Sequence, residues 1–156
     1  MSLQQELDRT QVGSLPIRPP LTIARSATVR EAVQLMRNQN LGCVVVVDEQ
    51  FKAVGMFTEA LLRHELNISP TVLDEPVDQQ MATRFPWVLP TDPARDILNA
   101  MEEFNTRFLA VLDSDHKVVG ITGQKTLIEF VAEAFPQEVM TQDPTGHTVF
   151  EQKEGA

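Results

Sequence analysis

The chain has little of several things that would fix a function at once. It carries one cysteine, Cys43, so no internal disulfide can form. A thiol inside the apolar run CVVVV suits a buried structural residue in a reducing compartment. No histidine lies near it in sequence, so it lacks the electropositive setting that a reactive thiol needs. Basic residues are scarce: 13 Lys and Arg face 22 Asp and Glu, a formal net charge of −9. That balance argues against a nucleic acid partner, because phosphate backbones are bound by clustered cations that release counterions. Any anionic ligand has to find a local positive pocket. No stretch approaches about 18 consecutive apolar residues, and the opening MSLQQELDR lacks the basic start and apolar run of a signal peptide, so the chain reads as cytoplasmic, with no membrane partner. His64, His116 and His147 are scattered, without partners at metal-ligand spacing. No nucleophile with a matched base, no P-loop and no G-x-G-x-x-G is present, so nothing supports an enzyme, a metal or a required cofactor.

What the sequence does have is a repeat. Asp48 and Asp113, Gly55 and Gly120, and Met36 and Met101 are separated by 113 − 48 = 120 − 55 = 101 − 36 = 65 positions, so residues 21–63 and 86–128 align without a gap. An internal repeat of this length is one supersecondary unit built twice. A chain of 156 residues suits one compact domain, or two small units sharing a core.

Each unit reads helix, strand, strand, helix. Thr28 and Glu31 have the spacing of a capping box, and Val29, Ala32, Val33 and Met36 then fall on one helical face, with Arg30, Gln34 and Arg37 left for solvent. In the second copy Asp92 is the expected N-cap and Pro93 the first helical residue, followed by the apolar face Ile97, Leu98, Met101 and Phe104. The unbroken apolar runs 43–47 and 108–112 fit strands covered on both sides. Each ends in an Asp and a polar turn. The second strands, 53–57 and 118–122, carry Gly55 and Gly120, and a strand glycine points to a ligand or a neighbouring strand at contact distance. Closing helices start near Thr58 and Gln124, the latter with Leu127, Ile128, Val131, Ala132 and Phe135 on one side, ended by Phe135-Pro136. Residues 67–77, with two prolines, read as a connector with little structure of its own, and the tail from Gln137 as polar and mobile after Thr141.

In the strings TVREAVQLM and VVVVDEQFKAVGMFT, and in QQMATRFPWVLPTDPARDILNAM followed by FLAVLDSDHKVVGITGQKTL, the sequence resembles the CBS domain family, whose tandem pairs are called Bateman modules. The resemblance covers roughly residues 14–135. It implies an α+β fold, with tandem βαββα repeats packed by an approximate twofold axis and two clefts between them. The chain then divides into an N-terminal extension 1–13, a first repeat with connector 14–77, a second repeat 78–135 and a polar C-terminal tail 136–156. The resemblance also implies a regulatory module without catalysis. Such a module binds an adenosine-containing small molecule, AMP, ADP, ATP or S-adenosylmethionine, and signals through a homodimer or a regulated protein partner.

In the family each strand glycine opens a motif G-x-x-[ST]-x-x-D, whose hydroxyl meets phosphate or ribose and whose Asp accepts from the ribose diol. Copy one keeps Thr58 but has Leu61 at the Asp position. Copy two has Gly123 at the hydroxyl position and Thr126 at the Asp position. Each hydrogen bond lost to a charged group costs about 1.5–3 kcal/mol, roughly ten- to a hundredfold in affinity. The resemblance implies a nucleotide cleft built from Gly55, Phe57, Thr58, Thr83, Arg84, Phe85 and Arg107, whose guanidinium groups would clamp a phosphate. A second, weaker cleft would hold Arg18, Gly120, Gly123 and Thr126, with Lys125 nearby. Plainer roles stand beside these: Thr58 as a helix N-cap, Arg107 as a solvated surface arginine, and Phe85 and Trp87 as core aromatics instead of an adenine stack. A different class also stands open, a structural or dimerisation module whose vestigial clefts are filled by side chains such as Leu61.

Overall fold

The computed structural model describes residues 1–135, and the tail expected from Gln137 lies outside them. The capping box forms as the sequence predicts. Thr28 Oγ1 accepts from the Glu31 amide at 3.1 Å, and Glu31 Oε1 accepts from the Thr28 amide at 2.9 Å. Helix α2 follows over Val29–Asn38. Strand β2 (Cys43–Val47) runs down the middle of its sheet, parallel to β1 (Thr22–Ala24) and antiparallel to β3 (Ala53–Thr58). The second copy repeats the order, with β5 (Phe108–Leu112) between β4 (Trp87–Val88) and β6 (Val118–Gly123). Every residue of β2 is buried, which is what an unbroken apolar strand requires.

Strand alternation sorts the side chains into three cores. Val44, Val46 and Phe57 face outward, under α2 and α3 (Glu59–Ile68). Leu109 and Val111 face outward on the other sheet, under α4 (Arg95–Phe104) and α5 (Gln124–Ala134). Between the sheets Cys43, Val45 and Met56 meet Ala110, Leu112 and Ile121. The two Asp turns match. Asp48 Oδ1 accepts from the amides of Gln50 and Lys52, Asp113 Oδ1 from those of Asp115 and Lys117, all at 2.9 Å.

The arms that lead into each repeat cross to the other one. Val12 donates its amide to Asp92 and Thr10 accepts from Ala94, both at the start of α4, while Val77 donates to Ala27 and Val29 to Glu75 at the start of α2. These are the same contacts 65 residues apart. Leu7, on α1 (Leu3–Arg9), joins the core of the second sheet, and its counterpart Val72 joins that of the first. A salt link from Arg95 to Asp8 ties α1 to α4.

Three expectations are corrected here. Asp92 does not cap α4: its Oδ2 accepts from Leu89 at 2.8 Å, because the crossing arm claims the backbone on either side, and the helix starts at Arg95 with Ala94 at the cap position. The 67–77 connector is structured, holding a 3-10 turn at Val72–Asp74 and the start of another at Val77–Gln79, with Val72 and Val77 fully buried. On α5, Leu127 is buried but Ile128 is 58% exposed, since only one edge of that helix reaches the sheet.

Candidate functional site

Two crevices open where the repeats meet, and they differ. The first is a cavity of about 180 Å³ whose walls are mostly apolar, formed by Met56, Leu61, Phe85, Pro86 and Phe104, with Thr58 and Arg84 at its rim. The second is a gap of about 40 Å³ beside Arg18, Gly123, Lys125 and Thr126. It shares Leu41, Arg107 and Phe108 with a wider cavity of about 360 Å³ that adds Arg37, Gly42 and Glu59.

In the first crevice the Thr58 hydroxyl accepts from the Leu61 amide at 3.2 Å and so caps α3. Leu61 lies half-buried against the outer core and forms part of the wall. Arg84 stacks 4.4 Å from the Phe104 ring centroid and donates to Glu103 at 3.0 Å. Phe85 is half-buried and belongs to both the wall and the inner core. Trp87 is 40% exposed, edge-on to His116 at 4.7 Å. It is neither core nor part of the wall.

Five expected site residues do not line the crevice expected of them. Phe57 is fully buried in the outer core, because strand alternation turns it away from the crevice that Met56 faces. Thr83 is exposed and is not among the lining residues. Arg107 belongs to the second crevice: its carbonyl accepts from Gln124 across the β5/β6 edge, and its guanidinium pairs with Glu59. Gly55 does not floor a pocket, since a Cβ there would run into the Met81 side chain and lie 3.0 Å from the Ala82 carbonyl. Gly120 is likewise covered, by Arg18 and Ile17. Of the two alternatives for these glycines, the neighbouring strand is the one observed, with bridges from Met56 to Ala82 and from Ile121 to Arg18.

In the second crevice Thr126, at the Asp position, is 3% exposed, and Gly123 abuts the Arg107 carbonyl, so no hydroxyl can occupy that place. Arg18, Arg107 and Lys125 surround the gap and Arg37 stands by the adjoining cavity. This is the local positive pocket of an acidic chain. Cys43 sits behind it in the inner core, where burial pushes its thiol pKa up to about 12, with Arg18 pulling it down and Glu59 adding to the rise. Glu59 and Met81 were invisible to sequence reading as site residues. Glu59 was legible only as the residue after the Thr58 cap, and no local pattern links Met81 to Gly55.

The family model described as "CBS domain" matches residues 12–67 and 77–133. An uncharacterized protein of Chlamydia muridarum is 36% identical over 109 residues, covering 65% of this chain but only 32% of the longer relative. A solved CBS domain pair in complex with 5′-methylthioadenosine and S-adenosyl-L-methionine is similar at a TM-score of 0.71 and 22% identity, covering 80% of this chain and 98% of that one. A CBS domain protein from Pyrobaculum aerophilum complexed with AMP is similar at 0.67 and 21%, covering 79% and 99%.

Proposed function

The chain belongs to the CBS domain family, and on that premise we propose that it is a regulatory sensor. It takes an adenosine-type small molecule between its repeats and passes the event on through a homodimer or a partner contact, in the cytoplasm. The observation that carries the reading is the open first crevice, apolar where a base would lie and polar at its rim where Thr58 and Arg84 stand. Its volume of about 180 Å³ equals about six waters at ~30 Å³ each. That is less than the ~300 Å³ of a drug-sized pocket, so the base enters and the sugar stays at the rim. Exposed Leu66, Ile68 and Ile128 on α3 and α5 support the homodimer, which light scattering reads directly.

Melting the protein with millimolar AMP, ADP, ATP or S-adenosylmethionine, alongside Arg84→Ala, tests the reading. Ligand at about ten times Kd adds about 1.4 kcal/mol and raises Tm by about 3–5 °C. Arg84→Ala, which leaves the core intact, reduces that shift for the phosphorylated ligands. An unmoved Tm with all four argues for the second reading, an interaction module with filled clefts. The half-buried Leu61 and the Met81 cover over Gly55 favour that alternative.

A further inference from the structure

Among the residues lining the second crevice and its adjoining cavity, four carry positive charge (Arg18, Arg37, Arg107 and Lys125) and one carries negative charge, Glu59. Among the described residues Arg18, Arg37 and Lys125 make no ion pair, while Arg107 reaches from the second repeat to the Glu59 carboxylate of the first. The place is shaped for that carboxylate. Gly42 accepts the Glu59 amide at 3.0 Å, and a Cβ on Gly42 would stand 2.9 Å from Glu59 Cδ and 2.8 Å from the Phe108 ring. By the 65-residue offset the counterpart of Glu59 is Gln124, which has no charge, and the counterpart of Gly42 is Arg107 itself. The acid and its arginine are therefore a departure from the internal symmetry, confined to one side.

We propose that the second crevice is an anion site for a phosphate-bearing ligand, and that Glu59 is its internal competitor, holding the Arg107 fork until a phosphate displaces it. A carboxylate and a phosphate oxygen seek the same guanidinium donors, so the edge of Arg107 that Glu59 holds is closed to a phosphate until the carboxylate leaves it. The pair is exchangeable because it is accessible to water, with side-chain exposures of 59% for Arg107 and 42% for Glu59, and exposed pairs are weakly held. Displacement frees the carboxylate at the first turn of α3. The occupied crevice is thereby linked to the helix that walls the other one through Leu61. The inference rests on the reading of an adenosine-type ligand and deepens it, adding to the first crevice a second, phosphate-dependent place of binding on the cationic side and making Glu59 the residue that limits affinity there.

Isothermal titration of the full chain and of Glu59→Gln, Glu59→Ala, Arg107→Ala and Glu59→Gln/Arg107→Ala tests it, with sodium pyrophosphate, AMP and adenosine as the three probes. Both Glu59 variants should bind pyrophosphate and AMP about tenfold more tightly, from the lost pair and the lost repulsion together. Adenosine affinity should stay within about twofold, and the double variant should lose the gain. A gain that survives in the double variant, a gain equal for adenosine, or no gain on pyrophosphate overturns the proposal. If pyrophosphate shows the gain while no adenosine compound binds, the sensor reading fails and the Glu59 proposal stands. If adenosine compounds bind but Glu59 is without effect, the reverse holds.

Discussion

Thr122→Val should make this protein more stable. Thr122 lies on β6, is 3% exposed, and its hydroxyl has no hydrogen-bond partner. Its register partner across the sheet is Leu109, and the residue 65 positions earlier is Phe57, buried in the outer core of the first sheet. Thr122 therefore places a polar atom where the other repeat places a phenyl ring. A buried hydroxyl without a partner costs about 1–3 kcal/mol, and valine replaces it with a methyl of nearly the same shape. Valine also suits a strand as well as threonine does. Taking 1–2 kcal/mol as the recoverable part, and about 2–4 °C per kcal/mol for a chain of this size, Tm rises by about 2–8 °C. Urea unfolding should show a higher midpoint with an unchanged m-value, which locates the change in the native state's energy and not in the surface exposed on unfolding. An unchanged or lower midpoint refutes the reasoning, because it means that the hydroxyl is satisfied in solution and that removing it breaks a bond.

Leu61→Asp restores the acid of the family motif at the cost of packing against the outer core. It should destabilise the protein by about 1–2 kcal/mol, roughly half to two thirds of a fully buried leucine's worth, and tighten adenosine by roughly tenfold or more, read by melting and by titration, and no gain in affinity would place the sugar elsewhere. The Cys43 thiol, held near 12 in the fold against an ordinary 9, makes stability depend on alkaline pH. Between those values the unfolded chain has lost the proton that the folded chain keeps, so stability is whole below pH 9 and falls above it, by up to about 1.4 kcal/mol per pH unit. A Cys43→Ala variant should lose that part of the slope in urea titrations between pH 9 and 10.5.

What the sequence made legible was local. The Thr28 and Glu31 capping box, the two Asp turns and the apolar central strands are each written within a few residues, and all of them are observed. The misses are places where a distant segment claims a local group. Asp92 has the look of an N-cap, yet the crossing arm takes the backbone of Asp92 and Ala94, and local propensity yields. Gly55 points to a ligand or a neighbouring strand at contact distance, and only the fold chooses the strand, since the close neighbour that excludes a side chain is Met81, 81 − 55 = 26 residues further on. Arg107, expected at the first crevice, lines the second, where its carbonyl accepts from Gln124 and its guanidinium meets Glu59 of the other repeat, a contact that no local pattern announces.

The crossing arms also tie each crevice to packing in the opposite repeat. Met56 bonds to Ala82 through both its amide and its carbonyl, so the first crevice has one wall from each repeat, and Ile121 and Arg18 make the same exchange at the second. Neither crevice can widen without shifting a segment that also closes the start of a helix in the opposite repeat, because Val12 and Val77 are buried in the core of the repeat they cross to. Each of those valines contributes about 1.5–3 kcal/mol of burial to a sheet from which its own repeat's strands are absent. Displacing either wall would therefore work against packing that both repeats share.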